Sequence, residues 1–410
     1  LCAGLVIAAS VIAPAVSAQT KRPSNPGKGA RKTTSKPADS APAASASANA
    51  RFEQLIQQGA QAREANRLEE ATTLYLQALR IKPKWKEGWW YVGAMLYERD
   101  RYADARDAFL QFVSIDQQFG PALALLGLCE FQLRQYEPAL VHLMQGNRLG
   151  VGENKELWRV TRYHEAILHN RFEQFELAYD VMTRLASEQM ESPDLILALG
   201  LTMLRMAYLP EDVPADKREM AFKAGRAASF MLTKRPKEAA NEFKELVENY
   251  PNAPGAHYAY GVYLLRDTPE AAIQEFRREI EISPKHVAAR LQIAFGLIKE
   301  DRHAEAAPFA EEAVKLAPDL FASHNALGRI LIETGQIERG IKELELGAKL
   351  APDSPEMYFA LARAYTRAGR PKDAERARAE FTRLNKLRQA KLEANNAPAS
   401  ATQEPGAQKP

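Results

Sequence analysis

The sequence predicts an all-α protein, an α-solenoid of stacked helix-turn-helix hairpins. Three observations carry this. Apolar runs of helical period end at Pro83, Pro284, Pro318 and Pro352, and the last three prolines are each 34 residues apart. In that register small residues recur at two positions of the unit: Gly59, Gly93, Gly127, Gly261 and Gly328 in the first half, Ala71, Ala105 and Ala139 in the second. Short polar turns such as RDRY, Arg99 to Tyr102, fall between the halves.

Each element follows from residue type. In the unit Lys86 to Phe119 the run WWYVGAMLYERDRYADARDAF encodes two amphipathic helices of about four turns each. Gly93 and Ala105 are small because the paired helices approach most closely there, and Trp89 and Phe109 fill the space around that contact. A small residue late in the second helix, Ala78 in the first unit, lets the next unit pack closely. The closing proline lacks an N–H and disfavours helix in the residue before it, so it punctuates the unit. No hairpin buries its apolar face alone, so the units must stack.

The register is irregular from 154 to 250. Lys155 to Ala186 reads as a helix pair turning at Asn170-Arg171, without small residues at both close-approach positions. Then follow a first helix at Pro193 to Ala207, the interruption YLPEDVPADK, and helices near Arg218 to Lys234 and Lys237 to Tyr250. These are three helices where two or four are expected. Either one unit carries a loop insertion and the next is partial, or one helix packs unpaired. From Pro254 the register returns with one residue lost in the turn RDTPE, giving nine or ten units over 51–388.

The pattern W-x2-L-G-x2-Y, then A-x3-F, then P resembles the tetratricopeptide repeat family over about Arg51 to Leu387, and with the leader described below the chain resembles its exported bacterial members. The resemblance implies a right-handed superhelix whose concave face is lined by set positions of the first helices. Carried over by register, the partner-binding groove comprises Trp90, Tyr97 and Phe131 early, and Tyr258, Phe295, Asn325, Arg329 and Arg363 late, with Phe359 beside them. Aromatic anchors and guanidinium groups suit an extended peptide bearing carboxylates. One subfamily grips chaperone C-termini through Lys and Asn in one unit and more basic residues in the next. The matching residues here are Leu291 and Phe295, then Asn325 and Arg329, so that pattern is absent.

The ends have a different composition. Residues 1–18, LCAGLVIAASVIAPAVSA, are apolar and uncharged and end in small residues, which reads as a signal peptide cleaved after Ala18, with an uncleaved anchor as the alternative. Residues 19–50 hold no Leu, Ile, Val or aromatic residue and read as a flexible basic linker, with six basic side chains against Asp39; 389–410 reads as a second flexible tail. The whole chain carries +3, so the body between them is slightly acidic, which argues against a nucleic-acid partner. Only Cys129 remains after cleavage, which excludes an internal disulfide.

The chemistry signals are few. HEAILH, His164 to His169, spaces its histidines five apart, where a zinc peptidase helix needs four, so both read as surface histidines. No phosphate-binding loop, nucleophile elbow or dinucleotide fingerprint occurs, and Glu311-Glu312 reads as a solvated face. The expectation is a protein that is not an enzyme, without metal or cofactor, exported to the periplasm or cell envelope. Two readings stand: a scaffold or adaptor holding a protein or peptide partner in its concave groove, or an accessory subunit of an envelope enzyme complex. In the second, the basic arm contacts an anionic membrane or cell-wall surface.

Overall fold

The computed structural model describes residues 41–187 and 192–396, which form nineteen α-helices and no strand. The expected leader, residues 19–40 of the arm and the tail from 397 lie outside the described residues. Among the described residues no helix is long and apolar enough to cross a membrane.

The chain divides into two compact units, Leu1–Gly225 and Arg226–Pro410. The first contains α1 (Ala41–Glu64), α2 (Leu68–Ile81), α3 (Lys86–Tyr97), α4 (Tyr102–Ile115), α5 (Gly120–Gln132), α6 (Tyr136–Leu149), α7 (Lys155–Arg171), α8 (Phe175–Ser187) and α9 (Pro193–Met203). The boundary falls within α10 (Ala215–Leu232). The second contains α11 (Pro236–Asn249), α12 (Ala256–Leu264), α13 (Pro269–Ile282), α14 (Val287–Lys299), α15 (His303–Leu316), α16 (Phe321–Glu333), α17 (Ile337–Leu350), α18 (Pro355–Arg367) and α19 (Pro371–Asn396). From α1 to α8 and from α12 to α19 the helices pair as consecutive hairpins, and the second helix of each pair packs on the first helix of the next.

The small residues sit where the register puts them. Ala71, Ala105 and Ala139 have no exposed surface. A Cβ on Gly93 would lie 2.7 Å from the fully buried Phe109 ring, so the aromatic of the second helix rests directly on the glycine of the first. At Gly127 the approach is of backbones: a Cβ there would stand 3.0 Å from the Ala139 carbonyl oxygen.

The turns within hairpins share one construction. Nine backbone N–H groups reach back five residues, as in Arg67 to Ala62 O (2.8 Å), Gln135 to Glu130 O (2.8 Å) and Arg235 to Phe230 O (2.8 Å). The residue before each donor has positive φ, which closes the helix by a left-handed cap. Only Gly335 and Gly369 are glycines there; Asn66, Asp100, Arg134, Glu173, Arg205, Lys234 and Asp301 adopt φ of 52–59°. The α12–α13 turn omits the left-handed residue: Thr268 N–H donates to Leu264 O at 2.9 Å, which is the residue lost at RDTPE.

The irregular middle is a loop insertion. Connection 204–214 carries a 3-10 turn, Pro210–Asp212, and leads into α10, which lies against α9 so closely that a Cβ on Gly225 would sit 1.8 Å from Ile196 O. α10 then turns into α11 by the same five-residue bond. The pair α7–α8, in which the register showed no small residues at both close-approach positions, has them at Ala166 and Ala178, spaced as Gly93 and Ala105 are and fully buried. The α6–α7 contact holds a buried polar network. Asn147 donates to Glu165 (2.6 Å) and accepts from Thr161 (2.7 Å).

The ends are longer than composition implied. Ala41–Ala50, assigned to the linker, opens α1, and α19 continues eight residues past 388. Six of those ten N-terminal residues are alanine and Pro42 stands in the first turn, where its missing N–H costs nothing. The packed Phe52 and Leu55 further along supply the nucleus from which these residues extend the helix.

A contact between successive units was not anticipated. Trp89 Nε1 donates to the carbonyl of Pro83, the proline that closes the preceding unit, at 2.8 Å. His257 repeats this on Pro251 O (3.1 Å) and His324 on Pro318 O (2.7 Å), and each imidazole also binds a carboxylate of its own unit, Glu275 at 2.6 Å and Glu343 at 2.7 Å. Burial alone would lower the His257 pKa. The hydrogen bonds to Glu275 and Pro251 O and the nearby charge of Glu279 outweigh it and hold the pKa above its usual value.

Three outcomes are expected. Gly93→Ala destabilises by about 1–3 kcal/mol, because Phe109 cannot yield in a packed core, and a denaturant titration measures it. Glu173→Gly, at an exposed left-handed position with no side-chain bond to lose, raises thermal stability by up to about 1 kcal/mol. The His257 clasp contributes in full below the unfolded-state pKa of about 6.5 and fades as pH rises through the raised folded value. The difference in melting temperature between wild type and His257→Gln therefore shrinks from pH 5 to pH 9.

Candidate functional site

Three of the expected groove residues meet at one place. On α16, Asn325, Arg329 and Glu333 follow at intervals of four and so share a face. Exactly one 34-residue period later, Phe359, Arg363 and Arg367 form the same ladder on α18. Asn325, Arg329, Glu333, Phe359 and Arg363 line a cavity of about 440 Å³, with Phe381 of α19 on its wall. A second cavity of about 450 Å³ adjoins it, sharing Glu333, Phe359, Arg363 and Phe381 and adding Arg367 and Arg378.

The electrostatics of this cleft are unbalanced. Glu333 binds Arg363 at 3.3 Å and Arg367 at 2.6 Å. Among the described residues Arg329 makes no ion pair. Burial and then the charge of Arg363 pull its guanidinium pKa below the usual range, against the pull of Glu333. The Oδ1 of Asn325, one turn away, is buried and accepts no hydrogen bond among the described residues. Asp301 and Glu356 also stand on the wall, and Glu356 is already held by Arg388 at 2.7 Å. The apolar part is exposed: Phe359 keeps 51% of its surface and its ring lies 5.5 Å from that of Phe381. The cleft thus offers a free cation, an unfilled acceptor and an aromatic pair, which suit a ligand with a carboxylate, an N–H and an apolar side chain.

The other expected groove residues are elsewhere. Trp90, Tyr97, Phe131 and Tyr258 are buried, and they pack instead of lining a groove. Trp90 stands edge-on to Phe119 (5.2 Å) and touches Phe109 and Phe112, Tyr97 meets Tyr102, Phe131 meets His164 at 4.5 Å, and Tyr258 lies on Phe276 and His286. In each case aromatic or imidazole neighbours from adjacent elements roof over the position. Phe295 is half-buried against the core of α12 to α16. His164 and His169 are buried as well, not on the surface as expected. His164 Nδ1 donates to Val160 O (2.7 Å) and His169 Nδ1 to Gln174 Oε1 (2.7 Å), and burial pulls the His164 pKa to about 4. Cys129 is buried, and burial pushes its thiol pKa far up. A depression in the first unit, beside Asn66 and Arg99, is lined by charges already paired: Arg99 with Glu69 and Arg67 with Glu70.

Sequence reasoning missed Glu333, Arg367 and Phe381. The first two were available as continuations of the Asn325 and Phe359 ladders by one further turn. Phe381 belongs to a mostly charged helix, and nothing local distinguishes it.

Comparison with known proteins bears on the class. Models of the tetratricopeptide repeat match residues 56–122, 233–287 and 297–358. The chain carries tetratricopeptide repeats, and with them a protein-interaction scaffold of stacked helical hairpins. Protein O-mannosyl-transferase TMTC3 of Homo sapiens is 24% identical over 269 residues, covering 62% of this chain. The chain spans 28% of the length of that relative. Among solved structures, MamA 41-end from Desulfovibrio magneticus RS-1 is 22% identical, covering 42% of this chain and 96% of its own, at a TM-score of 0.37. A double mutant titled MamA RS-1 ArsTM gives 21%, 42%, 97% and 0.39.

Proposed function

We propose that this chain is a non-enzymatic scaffold or adaptor of the cell envelope that holds a partner protein by a short acidic and aromatic segment seated in the cleft between α16, α18 and α19. The observation that carries the reading is the half-buried Arg329 without a counter-ion, beside the unfilled Asn325 Oδ1 and the exposed Phe359. A segment carboxylate supplies the missing charge, its backbone N–H supplies a donor to Asn325, and its aromatic ring covers Phe359. Export rests on the apolar composition of residues 1–18, and a peripheral contact with an anionic surface rests on the basic residues of 19–36.

The test is fluorescence anisotropy with a rhodamine-labelled, C-terminally amidated peptide, Gly-Ser-Asp-Phe-Ser, against the same peptide with Asn in place of Asp. Wild type is expected to favour the acidic peptide about ten-fold, a charge-assisted contact of ~1.4 kcal/mol. Arg329→Ala is expected to abolish the difference and leave the melting temperature unchanged within a few degrees. Equal binding of both peptides by wild type sinks the reading.

A further inference from the structure

Glu333 lies between the two cavities and lines both. Its two oxygens go to two different arginines, Oε1 to Arg363 and Oε2 to Arg367. Arg367 also donates to the Ile332 carbonyl at 3.2 Å, so the salt bridge is anchored to the end of α16. The Glu333 side chain is 24% exposed, so the carboxylate is neither deep in the core nor freely solvated. Arg329, one turn back on α16, has no such partner. The arginines of the cleft therefore stand in three states: Arg329 without an ion pair, Arg363 and Arg367 occupied by a carboxylate of the protein, and Arg378, on the wall of the second cavity, donating to the Thr366 hydroxyl at 2.8 Å.

We propose that Glu333 is a specificity-determining residue, an internal carboxylate that occupies the second anion seat of the cleft and must be displaced before a second ligand carboxylate enters. This rests on the peptide reading above. The occupant is a partner segment with two neighbouring carboxylates next to an aromatic residue. The first carboxylate pairs with Arg329 without competition. The second takes over Arg363 and Arg367, and Glu333, at the solvent side of the last turn of α16, swings out into water. Charge complementarity selects this occupant. With Glu356 held by Arg388 and Glu333 turned outward, Arg329, Arg363, Arg367 and Arg378 line the two cavities against one remaining carboxylate, Asp301, and a single ligand carboxylate leaves much of that charge unpaired. The exchange replaces the two ion pairs of Glu333 by those of the ligand, so in wild type Glu333 holds the gain from a second carboxylate to little.

The experiment uses the full chain and two rhodamine-labelled, amidated peptides, Gly-Ser-Asp-Phe-Ser with one carboxylate and Gly-Asp-Asp-Phe-Ser with two. Glu333→Gln keeps the shape and removes the competitor. It is expected to tighten the two-carboxylate peptide about ten-fold and the one-carboxylate peptide no more than about three-fold, since the latter feels only the change in local field. Glu333→Asp keeps the charge but is one methylene shorter and cannot span both arginines; it is expected to give an intermediate gain for the two-carboxylate peptide alone. Parallel tightening of both peptides by Glu333→Gln, or any weakening by it or by Glu333→Asp, overturns the proposal while leaving the peptide reading intact. Failure of both peptides to bind wild type and both variants removes the peptide reading and this proposal with it.

Discussion

The close approach of the two helices at one small residue, in its clearest form a bulky side chain seated over a glycine, is the contact on which the rest of the hairpin depends. Phe109 on Gly93 has this form, with Tyr75 on Gly59 and Phe276 on Gly261 repeating it. Burying such an aromatic is worth about 2–3 kcal/mol, and most of it is realised only if the first helix presents no Cβ. The same geometry turns the outer faces of both helices toward the next hairpin, where Ala78, Ala313 and Ala348 allow close approach. The cores accordingly change hands inside single helices: in α16 Leu331 packs into the cluster of α12 to α16, and its neighbour Ile332 into that of α16 to α19.

Two departures show what else holds successive units together. At α6–α7 the buried carboxylate of Glu165 is satisfied by Asn147 and by Arg162 at 3.2 Å, so a polar network joins these neighbours. In unit Pro254 to His286 a glutamate, Glu279, takes the place usually filled by alanine and is fully buried. Its oxygens accept the backbone N–H groups of Gly255 (2.9 Å) and Tyr258 (3.2 Å), so it caps the start of α12 from the neighbouring helix. Burial raises its pKa all the same, a measure of how costly a carboxylate is at that position.

The cleft between α16, α18 and α19 is the counterpart of these satisfied networks. The same repeat that stacks the helices places Arg329 and Arg363 at equivalent positions 34 residues apart, near enough for the charge of Arg363 to lower the pKa of Arg329. Glu333 offsets this, binding Arg363 directly. The arrangement leaves affinity for an anion as a property of the site, and the 51% exposure of Phe359 leaves apolar area beside it for a ligand to cover.

The helical hairpins, their period, their small-residue positions and the residue lost at RDTPE were legible in the sequence by itself, because each depends on spacing along one or two helices. Asn325, Arg329 and Arg363 were also within its reach, since polar residues at apolar-flanked positions have few places to go but a groove. Tertiary structure alone decided that Trp90, Tyr97, Phe131 and Tyr258 are core. Their exposure depends on whether rings such as Phe119, Tyr102, His164 and His286 close over them, and those rings come from other elements. It alone also decided the pairing of Glu333 and the arrival of Phe381 from the last helix. Periodicity tells which residues share a face of a helix; only packing tells which faces are covered and which charges find partners there.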